Sequence, residues 1–339
     1  MGATRYFAAD VSSRRRALLV AAMTMVALLQ AVGAPPAAAD PLPGDTWVTD
    51  GDVDAMAIAN GKVYIGGRFS QVGPNTGGGA TVDSSTGVYN PAVDRIDGFV
   101  YAVVSDGSGG WYIGGDFSYV DGLSRPRAAH IGADGAVTAW RPNISSGAVH
   151  SLFRSGNTIY IGGDFADTAG VTRNNLAAVD ISSEAAALLP WDPDANGPVY
   201  ALAGDGASGL FVGGDFTTIG GVARDRLAHV DLATAAVAAW DPGADATINS
   251  IAASGTDVYV GGAFTTVGGA ARASVAALDV ASGAATAWDP GTDGTVRAIA
   301  LDGSSVYVGG SFGSAGGAVP VSYTHLRAHE TAMNISYAV

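Results

Sequence analysis

Asp116, Asp164 and Asp215 each follow a Gly-Gly pair, and Arg125, Arg173, Arg224 and Arg272 each fall nine residues after that same position. Carboxylate and guanidinium at fixed spacing can hold a charged ligand, or can pin a loop between two strands. Arg272 persists opposite Ala263, so the pair is not obligatory, and loop pinning is the expected role. Asp192-Pro193-Asp194, Asp241 with Asp245, and Asp289 with Asp293 offer oxygen ligands for calcium. Calcium takes six to eight oxygens, from denser runs of Asp, Asn and Gly than these. Asp before Pro also starts turns by bonding its own backbone. No metal and no cofactor is expected.

Between residues 40 and 320 the acid–base inventory is 28 Asp, from which no catalytic pair stands out, and few other groups. It holds one Glu (Glu184), one Lys (Lys62) and three His (His130, His150, His229). His130 and His229 sit beside Ala in strand-like runs, where a packed or exposed neutral imidazole is expected. With no Cys, thiol nucleophiles, Cys-ligated metal and disulfides are excluded together. No H-E-x-x-H, Walker loop or nucleophile elbow occurs, and the Gly-x-Gly patterns open no helix.

The residues that position these groups form one pattern written six times. Val63-Tyr-Ile-Gly-Gly-Arg-Phe returns at Trp111, Ile159, Leu210, Val258 and Val306. The first Gly of each pair is Gly66, Gly114, Gly162, Gly213, Gly261 and Gly309, spaced by 48, 48, 51, 48 and 48 residues. A period this long, filled with β-branched and aromatic runs between Gly, Pro, Asp and Asn, predicts a β-propeller. The chain holds 49 Gly without a collagen period. Four strands per unit are expected; in one unit they span Val199–Ala203, Leu210–Phe216, Leu227–Leu232 and Val237–Trp240. The fold class is thus all-β, with five complete units of about 48 residues and a truncated sixth. The Gly pairs suit close approach of neighbouring sheets. The recurring Phe should fill space between them. Trp140, Trp191, Trp240 and Trp288, each before a Pro-containing turn, should cover a sheet edge.

The unit Tyr259-Val-Gly-Gly-Ala-Phe-Thr-Thr-Val-Gly-Gly269, followed by Arg272, Leu278-Asp279 and Trp288-Asp-Pro290, resembles the secreted bacterial β-propeller repeat sometimes called the delta-60 repeat. Similar units occur in fungal cortical marker proteins. The resemblance spans residues 47–317. It implies an exported, multi-repeat propeller, often joined to surface-binding modules, and no defined reaction.

The two ends read differently. Residues 1–39 form a secretory signal: Arg14-Arg15-Arg16, an apolar run from Ala17 to Ala34, then Ala37-Ala38-Ala39 as cleavage site. A membrane anchor is the alternative, and Pro35, Pro36 and the Ala cluster favour cleavage. Localisation is then secreted or cell-surface, with no membrane span after cleavage. Val321 to Thr331 and Ile335 to Val339 back-translate to sequences resembling short-read library adapters. Residues 321–339 are therefore expected to be artefactual, to form no native blade element, to pack poorly or at odds with the sheet pattern, and to leave 40–320 as a truncated propeller. Trp47, 19 residues before Gly66, resembles the outer-strand Trp residues. The segment Asp45 to Val48 is expected to close the ring onto the last unit, and truncation to leave that ring open.

Between residues 40 and 320, 12 basic and 29 acidic residues give 12 − 29 = −17. That charge opposes nucleic acid and anionic membranes and favours cationic or neutral partners. One position in the repeat stands apart. Between a β-branched and a small residue at the start of each unit lie Asp54, Tyr101, His150, Tyr200, Asn249 and Arg297. Packing asks for similar residues at equivalent places, so a differentiated position suggests a shared surface with unequal tasks. These six are expected to ring the mouth of a central channel and to bind an extracellular glycan or protein ligand without catalysis. The alternative is a secreted hydrolase or lyase acting on polysaccharide. A channel tolerant of any polar side chain would explain the same variation without a ligand.

Overall fold

A computed structural model describes residues 52–59, 62–69, 78–83, 89–90, 96–317 and 336–338. The signal region, the Asp45–Val48 closure segment and most of the tail lie outside these. Among the described residues there is no helix, and so none long and apolar enough to cross a membrane. The chain is all-β, folded into small antiparallel sheets that follow the repeat.

A representative sheet pairs Val199–Gly204 with Gly209–Gly214, and Gly209–Gly214 with Leu227–Asp231. The preceding sheet repeats this with Val149–Ser155, Thr158–Gly163 and Leu176–Asp180. The following one uses Ile248–Ser254, Asp257–Gly262 and Val275–Asp279. The first strands of successive units contact one another in series along the chain. Beyond the third strand the units differ: in the first, Gly79–Asp83 pairs with a fourth strand, Tyr89–Asn90, as expected, and later units depart from that pattern. The segment toward Trp240 forms only the bridge Val230↔Val237, as Val179↔Leu188 and Leu278↔Ala285 do in their units. The cause is local: the Ala238 carbonyl, which would extend the ladder, accepts instead from the Arg224 guanidinium at 2.7 Å, and Asp241-Pro242 follows.

Two close approaches explain the Gly-Gly pair. A Cβ at the first Gly would meet the β-branched residue opening the next unit: at Gly213 it would lie 2.7 Å from Ile248 Cγ2, and at Gly66 2.7 Å from Val100 Cγ1. A Cβ at the second Gly would overlap the backbone of its own unit's first strand, at the Pro198 carbonyl oxygen for Gly214. That approach accompanies a β-bulge. Val199 pairs with Gly214 and Ala201 with Gly213, so Tyr200 has no partner across the ladder. The same irregularity skips Asp54, Tyr101, His150, Asn249 and Arg297.

The apolar core lies between units. Tyr160, Leu176 and Trp191 of one sheet pack with Leu210, Phe216 and Val230 of the next. Phe165, Phe216 and Phe264 are fully buried, as fillers should be. Two of the Trp residues do more than cover an edge. Trp191 is 4% exposed and donates its indole N–H to the Asp231 carbonyl of the next unit at 2.9 Å. Trp240 reaches Asp279 in the same way at 3.2 Å. A large ring with one polar handle thus ties two sheets together.

At the chain's far end, Thr295–Asp302 pairs with Ser305–Ser311, whose outer edge takes Ser336–Ala338. The tail was expected to supply no native blade element, yet these three residues occupy the slot that Val275–Asp279 fills one unit earlier. An unpaired strand edge accepts any short β-compatible segment within reach.

The two Gly positions should respond differently to alanine. Gly213→Ala is expected to destabilise by about 1–3 kcal/mol through overpacking against Ile248 and Ile251. Gly214→Ala, which meets backbone, should cost more. Gly309→Ala, where a Cβ meets nothing within 4 Å, should stay within about 0.5 kcal/mol of the parent. Thermal melts of the three variants, followed by circular dichroism, check the order.

Candidate functional site

The bulge decides where the candidate side chains go. Flanking residues Val199 and Ala201 are buried, and Tyr200 is half-buried. The same alternation frames Tyr101, and His150 stands half-buried between buried Val149 and Ser151. An extra residue in one strand bends it and re-aims its side chain.

Three of the six are brought together. The Tyr101 and His150 rings stack with centroids 5.3 Å apart, and His150 meets Tyr200 edge-on at 5.0 Å. Phe99, 40% exposed and not singled out from the sequence, extends the stack to Tyr101 at 6.3 Å. The other three are separately engaged. The Asn249 amide donates to the Val296 carbonyl at 2.9 Å, joining two first strands. Arg297 donates to Ser311 Oγ at 3.2 Å. Asp54 accepts from Arg68, which also binds Asp52. Asn249 and Arg297 lie outside the aromatic arc.

The carboxylates after the Gly pairs belong to this arc. His150 Nε2 lies 3.6 Å from Asp164 Oδ1, and Asp164 also accepts the Ala148 N–H. Burial lowers the His150 pKa below its ordinary value, against the opposing pull of Asp164 and Asp116, so the ring is neutral at pH 7. Burial raises the Tyr101 hydroxyl, helped by Asp116 and Asp54, and raises Tyr200, helped by Asp215 and Asp164. Both phenols stay protonated.

The expected Asp–Arg pairing is corrected. Arg224 meets Asp241, not Asp215, at 3.4 Å; Arg173 meets Asp192 at 3.2 Å and Arg272 meets Asp289 at 3.5 Å. Each of these Arg also binds a carbonyl of the outer segment: Leu189, Ala238 or Thr286. Arg125 binds the Thr138 carbonyl, and Arg141 stands where the other units have Asp. This explains why Arg272 persists beside Ala263. Asp215 is met instead by Arg226 at 3.4 Å.

The paired aspartates read as calcium candidates are otherwise employed. Asp245 accepts the Thr265 and Thr266 N–H groups at 2.8 and 3.0 Å, and the Thr265 hydroxyl. Burial pushes its pKa up, but these bonds outweigh that and hold it at about 2. Asp293 and Asn196 cap the matching loops of their units. Each ties the linker entering a unit to the loop after that unit's Gly pair.

His130 and His229 are packed, and each also meets a carboxylate. His130 Nε2 lies 3.2 Å from Asp106, and His229 Nε2 lies 3.1 Å from Asp205. Each Asp closes its own hairpin by accepting N–H groups, at Ser108 and Gly110 or at Ala207 and Gly209. Each imidazole stacks on a strand-two aromatic, Tyr112 at 4.2 Å or Phe211 at 4.6 Å. Thr138 Oγ1 lies 3.2 Å from His130 Nδ1, which gives an Asp–His–Thr string. Ala238 stands in place of that Thr in the second unit. The shared part is a latch between hairpin and third strand.

No protein-family model matches the chain, and no curated protein sequence matches it. Solved structures do. A crystal structure of the computationally designed Ika8 protein is 14% identical, covering 78% of this chain and 82% of that one, with a TM-score of 0.50. A crystal structure of RRP9 WD40 repeats is 12% identical, covering 77% and 72%, also with a TM-score of 0.50. At such identities the likeness concerns fold alone, and WD40 repeats form propellers. The series of small antiparallel sheets is propeller-like.

The His150 environment yields a signed prediction. Its ring signals should titrate with a midpoint below 6.5, the ordinary value. Asp164→Asn should lower the midpoint further, because the carboxylate favours the imidazolium. A folded-state pKa below the unfolded one contributes stability that is present above 6.5 and lost as pH falls through the folded value. Proton NMR of the imidazole C–H signals, with melts between pH 4 and 7, checks both signs.

Proposed function

We propose that this chain is a non-catalytic extracellular or cell-surface β-propeller of the delta-60 type, and that it recognises a ligand at the mouth of its central channel. Each unit supplies one blade, its fourth strand being the short bridged segment before the Trp. Residues 1–39 are its export signal and 321–339 are foreign to it. The bulge carries this reading: one residue per unit is freed from the ladder and varied in type, while its neighbours keep theirs. A rigid repeat scaffold then presents Asp54, Tyr101, His150, Tyr200, Asn249 and Arg297 as separately tunable contacts. The partner class is a glycan or a protein segment. Phenol rings and neutral imidazole offer stacking surface and directed hydrogen bonds to either.

The centre of the aromatic arc is a neutral His flanked by protonated phenols, groups that bind and orient a ligand and that a hydrolase or lyase would use as base and acid. Turnover therefore decides between the two readings. Arrays of cell-wall glycans and of peptides should yield a ligand for the parent. Tyr101→Ala combined with Tyr200→Ala should weaken that ligand at least about tenfold, the loss of roughly 1.4 kcal/mol of contact. The melting curve should be unchanged. Full binding by the double variant with its fold intact would overturn the site, and turnover of a glycan by the parent would favour the enzyme.

A further inference from the structure

The aromatic arc carries more than stacking surface. Tyr101, His150 and Tyr200 stand within the fields of Asp116, Asp164, Asp215 and Asp54. Among the described residues, Arg226 engages Asp215 and Arg68 engages Asp54. No Lys or Arg of those residues lies within ion-pair distance of Asp116 or Asp164. Among the described residues Asp164 accepts the Ala148 N–H and otherwise faces His150 Nε2 across 3.6 Å, a ring that is neutral at pH 7. Asp116 and Asp164 are exposed, and Asp164 keeps 42% of its side-chain surface in water. Two carboxylates therefore border half-buried ring surface without a fixed cation between them. A neutral sugar would leave that negative field unanswered. A bare metal ion would use the carboxylates and ignore the rings.

We propose that the Tyr101–His150–Tyr200 arc binds an organic cation, an ammonium or guanidinium on an aliphatic stem. The charge would meet Asp116 and Asp164, and the stem would lie against the rings. This rests on the channel-mouth reading above and narrows its ligand to a class. The source is either a free polyamine or a Lys or Arg side chain of a partner protein, which share this chemistry. Cation–ring attraction adds to the charge pairing. The pairing is partly exposed, so binding weakens as salt rises. Binding also weakens as pH falls through the His150 pKa, when the imidazolium joins the cation's side of the charge balance. Asp116, Asp164, Tyr101 and Tyr200 are the groups that ring senses.

The test uses the whole chain and four probes: cadaverine, Nα-acetyl-lysine amide, 1,5-pentanediol and calcium chloride. Binding is followed by shifts of the Tyr101, Tyr200 and His150 ring resonances at pH 7 and low salt. Both amines should bind, and the diol should not. A preference for cadaverine points to a polyamine, and a preference for the lysine amide points to a protein side chain. Asp164→Asn keeps an oxygen for the Ala148 N–H. It should weaken both amines at least about fivefold, as should Asp116→Asn and, separately, Tyr200→Ala; fivefold is roughly the loss of one exposed cation–ring contact. Equal binding of diol and amine would overturn the proposal, as would amine affinity unchanged in both Asp variants. Calcium binding that depends on the Asp residues but not on Tyr200 would also overturn it. If a neutral glycan binds in a Tyr101- and Tyr200-dependent way while the amines do not, channel-mouth recognition stands and the cation fails. If nothing in any panel depends on those tyrosines, both fail.

Discussion

Each unit is organised by the absence of two side chains at its Gly-Gly pair. The first Gly lets the β-branched residue of the next unit press against the sheet, as Val199 does on Gly162 and Ile248 on Gly213. The second Gly lets the first strand of its own unit bulge inward, with carbonyls such as Pro198 and Thr247 where a Cβ would stand. One dipeptide thereby sets both the stacking of sheets and the aim of the bulge side chain. The contrast at the two ends is informative. Val100, Val149, Val199, Ile248 and Val296 are buried, and Val53, with no preceding unit among the described residues, is 40% exposed. Gly309 likewise faces open space. Since the core lies between units, each sheet draws its stability from its neighbours, as in other repeat proteins.

Around this contact the polar groups act as couplers. Arg173, Arg224 and Arg272 take the carbonyls of a segment too short to form a ladder and bind the Asp that follows it. Asn196, Asp245 and Asp293 fasten each entering linker to the loop beyond the Gly pair. The indole N–H of Trp191 and of Trp240 crosses to the next unit. These bonds hold backbone that a propeller-like arrangement would otherwise leave unsatisfied between sheets. A scaffold fixed this way leaves the bulge residue free to change, which is where the units differ.

Much of this was legible in the sequence, because a repeat averages out local noise. The Gly period, the buried Phe and the variable position that falls on the bulge are all one-residue statements that recur. The misreadings share a cause: they concern pairs. Arg224 has Asp215 nine residues before it and Asp241 seventeen after it, and spacing alone cannot choose between them. Asp205 and His229 are 24 residues apart, joined only once strands two and three are in register. The Trp contacts also join pairs distant in sequence, Trp191 with Asp231 and Trp240 with Asp279, 40 and 39 residues apart. Ser336–Ala338 pairs where no native blade element was expected, since an open edge selects for reach more than for origin. Phe99 and its stack on Tyr101 carried no repeated signal.

In the units of Tyr101, His150 and Tyr200 the bulge turns one side chain out of the packed sheet and leaves both neighbours buried, and in the Asn249 unit Ile248 stays buried before it. The native chain contains no Cys, so a single introduced thiol reports its own position. Labelling rates with a water-soluble maleimide, compared for Tyr101→Cys, Tyr200→Cys and Asn249→Cys against Val100→Cys, Val199→Cys and Ile248→Cys, measure the aim directly. Labelling should be fast at the three bulge positions and at least about 100-fold slower at the flanking ones, which react only through local opening. Comparable rates within each pair, in variants that melt like the parent, would contradict that aim.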